Sequence, residues 1–182
     1  REGFLLRELS AKLTEGVMKQ DIFGLTIEEL QDKFVELGLK KFRAKQVFQW
    51  MYQKSVFDFA EMHNLSKADI TVMEENFTVL PRELEILREQ TSSDGMTSKL
   101  LIAFPDGNSV ETVWMNHDYG YSVCVSSQVG CDMHCAFCAS GLNGCVRNLS
   151  APEIIVQVYL FNERLRATGK MVSRVVVMGS GE

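Results

Sequence analysis

Apolar residues recur at helical spacing through the first half of the chain and alternate with polar ones through the second, and that change of period divides the sequence. Thr26 and Glu29 form a capping box ahead of Leu30, Phe34 and Leu37, which predicts a helix closed by Gly38. A second helix is predicted over 42–52, with Phe42, Val47, Trp50 and Met51 on one face and Arg43, Lys45, Gln46 and Gln49 mostly elsewhere. A third is predicted to open at Ser66, with Asp69 in the reciprocal capping position, and to run to about Asn76. Residues 1–82 are therefore expected to form a small helical domain.

Pro81 marks the change of character. Asp94-Gly95 and Asp106-Gly107 are hairpin dipeptides, and they separate strands predicted over 85–91, 97–104, 109–115 and 121–126. Further on, Ser150 and Glu153 make another capping box with Pro152 in the first turn, so an amphipathic helix is predicted to about residue 167. The valine-rich run 174–178 reads as a buried strand. Strand, loop, helix and strand of this size make a βαβ unit, whose crossover implies a parallel sheet. The fold class expected is α/β, with a β-hairpin extension over 83–116 and a core domain over 117–182.

Composition adds limits. The 182 residues are 46% hydrophobic and 24% charged, which suits a globular chain. The longest apolar run, 100–104, cannot cross a bilayer, and charges at Arg1, Glu2, Arg7, Glu8, Lys12, Glu15 and Lys19 leave no apolar core for a secretory leader. A cytoplasmic location without membrane contact is expected. The chain opens on Arg1 and closes on a glycine-rich run after a strand, so both ends are expected to be cut. Net charge is −5, which argues against broad affinity for nucleic acid, but residues 40–54 carry Lys40, Lys41, Arg43, Lys45 and Lys54 and no acid.

All five cysteines fall between Cys124 and Cys145. An odd count in so short a stretch suits metal or redox chemistry better than a disulfide framework. Cys131, Cys135 and Cys138 stand in a C-x3-C-x2-C array between a predicted strand and a predicted helix. Three thiolates satisfy three irons of a 4Fe–4S cube and leave the fourth open to a substrate, whereas electron-carrying clusters usually have all four ligated. Ala136, Ala139, Ser140 and Gly141 allow backbone to approach a cluster, and Phe137 is expected to shield it from water. The same spacing also admits a structural zinc knot with His134 or Cys145 as fourth ligand. Cys145 otherwise reads as a packed or partly exposed free thiol.

This array, followed by a βα unit ending in Met178-Gly179-Ser180-Gly181-Glu182, resembles the radical S-adenosylmethionine superfamily. In that superfamily the open iron chelates the methionyl amino and carboxylate groups, and the ending resembles its glycine-rich G-E-P motif. The resemblance implies a partial (βα) barrel and assigns cofactor binding to Gly181 and Glu182. The match narrows at Cys124-Val125-Ser126-Ser127-Gln128-Val129-Gly130-Cys131, at Arg147-Asn148-Leu149 with Glu153, Ile154 and Gln157, at Val110-Glu111-Thr112-Val113, and at the basic segment 42–50. Together these resemble RNA adenine C-2 methyltransferases of the RlmN type. A sister family methylates the same adenine at C-8 and tends to carry cysteine where Val129 stands.

The resemblance implies a ping-pong reaction. One S-adenosylmethionine methylates a cysteine near the family's C-terminus. A second is reductively cleaved, and the radical formed activates that methyl group for addition to adenine C-2, giving a covalent RNA adduct. By position, Glu111 resembles the base that removes the C-2 proton and Cys124 the thiol that resolves the adduct through a transient disulfide. Implied partners are 23S ribosomal RNA, transfer RNA as a possible second substrate, and an electron donor such as flavodoxin or ferredoxin, with a monomer expected. The competing readings are the C-8 sister enzyme and a non-enzymatic iron–sulfur or zinc module that binds RNA. Read alone, Glu111 is a solvent-facing strand acid and Cys124 a buried strand cysteine. A chain ending before the methyl-carrying cysteine is expected to hold a cluster without turning over.

Overall fold

The computed structural model describes residues 19–181. Helix α1 (Ile27–Glu36) begins at the capping box: Glu29 N–H donates to Thr26 Oγ1 at 3.3 Å and Thr26 N–H to Glu29 Oε2 at 2.8 Å. Leu30 and Phe34 are buried one turn apart, and Gly38 ends the helix in the left-handed region at φ +75°. Helix α2 (Lys41–Lys54) buries Ala44, Val47 and Met51. Phe42, expected on that face, is instead exposed. It lies nine residues from Met51, roughly half a turn around a helix of 3.6 residues per turn, so Ala44 takes the inward position.

Helix α3 (Lys67–Asn76) is capped by Ser66, whose Oγ accepts Asp69 N–H at 3.1 Å. The expected reciprocal half of that box is absent. Asp69 turns to Arg43 Nε at 3.1 Å, while Arg43 Nη1 donates to Gln46 Oε1 and the Asn64 carbonyl. An ion pair between two helices outcompetes a local cap here because both partners are largely shielded from water. Two-residue strands β1 (Gln20–Asp21) and β2 (Phe77–Thr78) pair in parallel, and the single turn α4 (Leu80–Glu83) carries Pro81.

One five-stranded sheet follows, in the order β3 (Glu85–Thr91), β4 (Thr97–Ala103), β5 (Ser109–His117), β6 (Gly120–Val125) and β9 (Val172–Val177). The first three pairings are antiparallel and β6–β9 is parallel, as the crossover predicts. The crossover is helix α5 (Ala151–Leu165), capped by Ser150 and Glu153. Val156, Leu160 and Phe161 of α5 and Leu100, Ile102, Val110, Val123 and Val125 of the sheet belong to one buried core, which continues into the helical segment. Tyr159 joins the two parts, packing against Phe23, Tyr52 and Phe57 at 5.6–6.1 Å between ring centres.

The valine run of β9 reads as a doubly buried strand; among the described residues, which end four positions later, β6 is its only strand neighbour and Val175, Val176 and Val177 are exposed. The ribbon of β7 (Gln128–Gly130) and β8 (Cys145–Asn148), which frames the cysteine loop, has no period long enough to be read in the sequence.

Where β6 ends, Gln157 of α5 replaces the missing strand partner. Ser126 N–H donates to Gln157 Oε1 at 2.8 Å, and Gln157 Nε2 donates to the carbonyls of Ser126 at 2.9 Å and Glu153 at 3.0 Å. Arg147 of β8 forks onto Glu153 at 2.7 and 3.0 Å and also meets Asp106 of the β4–β5 turn at 2.7 Å. Burial pushes the Glu153 carboxyl up, but Arg147 and the Ser150 N–H and hydroxyl outweigh it and hold the group below its usual 4.5.

A carboxyl whose folded pKa is depressed contributes stability above its unfolded pKa and loses it as pH falls through the folded value. Glu153→Gln is therefore expected to cost about 1–2 kcal/mol near pH 7, a difference that shrinks as pH drops below 4.5. Urea unfolding of both proteins at neutral and acid pH checks this.

Candidate functional site

The cysteine loop leaves β7 at Gly130, where φ is +76° and a Cβ would stand 2.0 Å from the Gly144 carbonyl oxygen. Only glycine permits that neck. Across it, Cys131 N–H donates to Gly144 O at 3.1 Å, and Cys145 N–H donates to Asp132 Oδ1 at 2.9 Å. Cys131 is buried beside the neck, whereas Cys135 and Cys138 are exposed farther out, joined by a Cys138 N–H to Cys135 O bond of 3.0 Å. The Ser140 N–H, then its hydroxyl, pull the Cys138 thiol down from its usual range, and the Gly141 N–H adds to them.

All five cysteines are free thiols. The donor set fits an iron–sulfur cluster: three soft sulfur ligands on one short loop, one of them, Cys138, with its thiol shifted towards the thiolate form. Among the described residues, however, no three His, Cys, Asp or Glu side chains stand close enough together to hold one ion. The two proposed fourth zinc ligands are drawn elsewhere. His134, at φ 47°, turns its Nδ1 to the Gly141 carbonyl at 3.3 Å, and Cys145 lies half-buried in β8. Phe137, expected to shield a cluster, is 93% exposed, since the outer end of the loop has no element against which to pack it.

The glycine-rich segment after β9 lies against the same loop. Ser180 Oγ is 3.3 Å from Ser140 Oγ, and the N–H groups of Ser127 and Gln128 donate to Ser180 O at 2.8 and 3.0 Å. Neither glycine has room for a side chain. A Cβ on Gly179 would meet Ser126 Oγ at 2.5 Å, and one on Gly181, at φ +110°, would meet Ser127 Oγ at 2.4 Å. Glu182, assigned with Gly181 to the cofactor, lies outside the described residues.

Glu111 and Cys124 emerge on the sheet face opposite α5. Cys124 of β6 is paired with Val113 of β5, so Glu111, two residues away, is its diagonal neighbour, with ordinary sheet geometry separating such pairs by roughly 7–8 Å. Glu111 is exposed and its Oε1 meets Lys99 Nζ at 2.8 Å. The Cys124 carbonyl accepts the Thr112 hydroxyl at 3.0 Å. The structure thus places Glu111 and Cys124 on one sheet face, and the three-cysteine loop beside Gly179–Gly181.

Lys99 was not singled out from sequence, because its place diagonal to Glu111 depends on a pairing register (Lys99 with Val113) centred on Asp106, one residue short of the two-residue turn that Asp106-Gly107 suggests. The hydroxyl contacts of Ser140 and Ser126 carry no local sequence signal, because their partners Ser180 and Glu111 lie 15 to 54 residues away.

Residues 20–79 match the family described as the ribosomal RNA large subunit methyltransferase N-terminal domain. Over 164 residues, 90% of this chain, the sequence is 51% identical to a protein of Staphylococcus carnosus named probable dual-specificity RNA methyltransferase RlmN. It is 50% identical, over the same length, to a protein of that name from Staphylococcus aureus, and it covers 44% of each. The crystal structure of a radical SAM methyltransferase from Sphaerobacter thermophilus aligns with a TM-score of 0.82 at 36% identity, covering 90% of this chain and 47% of that one. The chain therefore spans less than half the length of the relatives it matches.

The Ser140 contacts make Cys138 the test thiol of the loop. With no metal present, Ser140→Ala, which removes the hydroxyl and keeps the N–H, is expected to slow alkylation of Cys138 by iodoacetamide modestly near neutral pH while leaving Cys135 unaffected. Peptide mass spectrometry of a timed reaction measures both.

Proposed function

We propose that this chain, whose sequence belongs with the RlmN-type RNA methyltransferases, forms the cluster- and cofactor-holding part of an enzyme that methylates adenine at C-2 in 23S ribosomal RNA. Transfer RNA is the second substrate of this reading, and the relatives' name, a dual-specificity RNA methyltransferase, supports RNA as the class. The observation that carries it is the approach of the three-cysteine loop to Gly179–Gly181 through Ser140 and Ser180. Cys131, Cys135 and Cys138 would hold a 4Fe–4S cluster with one open iron, and the segment to Gly181 and Glu182 would hold the methionyl group of S-adenosylmethionine. When bound, the two supply a one-electron route to an aromatic carbon that ordinary sulfonium methyl transfer does not reach.

The chain's own residues then have separate tasks. Glu111, with Oε1 tied to Lys99, offers Oε2 to the proton leaving adenine C-2. Cys124, on the same sheet face, is the thiol that forms a disulfide with the sulfur that carried the methyl group. Residues 1–82 are the RNA-binding accessory domain, 83–116 a hairpin extension, and 117–182 the opening of a partial (βα) barrel. Within the basic stretch, Arg43 is occupied by Asp69, Gln46 and Asn64 and Lys54 lies over the Trp50 ring, which leaves the exposed Lys40, Lys41 and Lys45 for phosphate. An electron donor such as flavodoxin or ferredoxin, a cytoplasmic setting and a monomeric enzyme complete the reading. No helix among the described residues is long and apolar enough to cross a membrane.

Anaerobic reconstitution is expected to give a brown protein with cluster absorbance. That absorbance should vanish in Cys131→Ala, Cys135→Ala and Cys138→Ala and survive in Cys145→Ser, whereas a colourless stoichiometric zinc protein would overturn the reading. In the whole enzyme, Cys124→Ala should trap the RNA adduct and Glu111→Gln should abolish its release, both visible on denaturing gels. Methyl at C-8, found by mass spectrometry of cellular RNA, would assign the sister reaction. Charge reversal at Lys41 and Lys45 should flatten the salt dependence of RNA binding by about one unit of slope per lysine.

A further inference from the structure

Ser126 has no task in that chemistry, yet the elements that carry it meet there. The residue is completely buried one position past β6. Its hydroxyl donates to the Glu111 carbonyl at 2.7 Å and accepts the Ser180 N–H at 3.0 Å. Its own N–H and carbonyl are both taken by the Gln157 amide, itself 0% exposed. The direction of the hydroxyl bond is forced, because a carbonyl can only accept, so the proton points at Glu111 and a lone pair is left for Ser180.

We propose that Ser126, locked by Gln157, is a positioning residue of the S-adenosylmethionine site: its hydroxyl sets the spacing between the strand bearing Glu111 and the Gly179–Gly181 segment. The inference rests on the functional reading above and extends it to a residue that touches neither cofactor nor substrate. Each plausible replacement fails differently. Alanine leaves the Ser180 N–H with no acceptor and the Glu111 carbonyl one donor short. Threonine adds a methyl group beside Gly179, where a single Cβ would already stand 2.5 Å from the hydroxyl. A displaced Ser180 would in turn shift the carbonyl held by Ser127 and Gln128 and the contact with Ser140, hence the cysteine loop.

The test uses the whole enzyme. In cofactor-free wild type, hydrogen exchange at the Ser180 amide is expected to be strongly protected. Ser126→Ala should expose that amide and, after reconstitution, bind S-adenosylmethionine about tenfold more weakly by equilibrium dialysis with unchanged iron content. Ile22→Val, a core substitution in the helical segment, serves as the stability control and should alter neither readout. The inference is overturned if Ser126→Ala binds the cofactor as wild type does, or if Ile22→Val loses as much affinity. Should Ser126→Ala not fold, an unprotected Ser180 amide in wild type overturns it and a protected one sustains it. A reconstituted wild type that binds no S-adenosylmethionine removes the functional reading and the inference together.

Discussion

The buried amide of Gln157 does for Ser126 what a neighbouring strand would otherwise do. A chain leaving a sheet abandons one backbone donor and one acceptor, and away from water each is costly to leave unpaired. Gln157 satisfies both in a single planar group, so α5 cannot slide along the sheet without breaking two bonds at once. From that fixed helix the remaining geometry follows. One turn earlier, Glu153 holds Arg147, and through it β8 and the Asp106 turn. Two residues later, Tyr159 holds the aromatic cluster of the helical segment. The cysteine loop, the hairpins and the helices are thus indexed to the same helix.

Features legible in the sequence are those whose cause is local. Thr26 with Glu29 and Ser150 with Glu153 cap their helices across three residues, and Asp94-Gly95 and Asp106-Gly107 turn their hairpins through φ values only glycine adopts freely. The C-x3-C-x2-C spacing is local in the same sense, but it identifies donors and says nothing of where their side chains point. Residues read wrongly had their outcome decided elsewhere in the chain. Asp69 deserts its cap for Arg43, and Phe42 lies on the far side of a helix whose inner face begins at Ala44.

The basic stretch of α2 shows how composition overstates free charge. Arg43 is committed within the fold, and Lys54 sits 3.5 Å over the ring of Trp50, whose Nε1 in turn donates to Asn64. Positive residues at the ends of α2 thus help to hold the helical segment together. The exposed Lys40, Lys41 and Lys45 leave their charge to solvent, and an overall charge of −5 makes that localisation matter.

The neck at Gly130 and Gly144 has a consequence for how metal would be captured. With backbone closed to the point where no Cβ fits, residues 131–144 form a ring before any ion arrives, and the entropy of bringing its ends together has already been met by β7 and β8. Three thiols tethered on one closed ring act at a high effective concentration towards a common centre. As a holder of metal, the loop would work in the manner of a macrocycle, open at its rim and with its closure settled at its base.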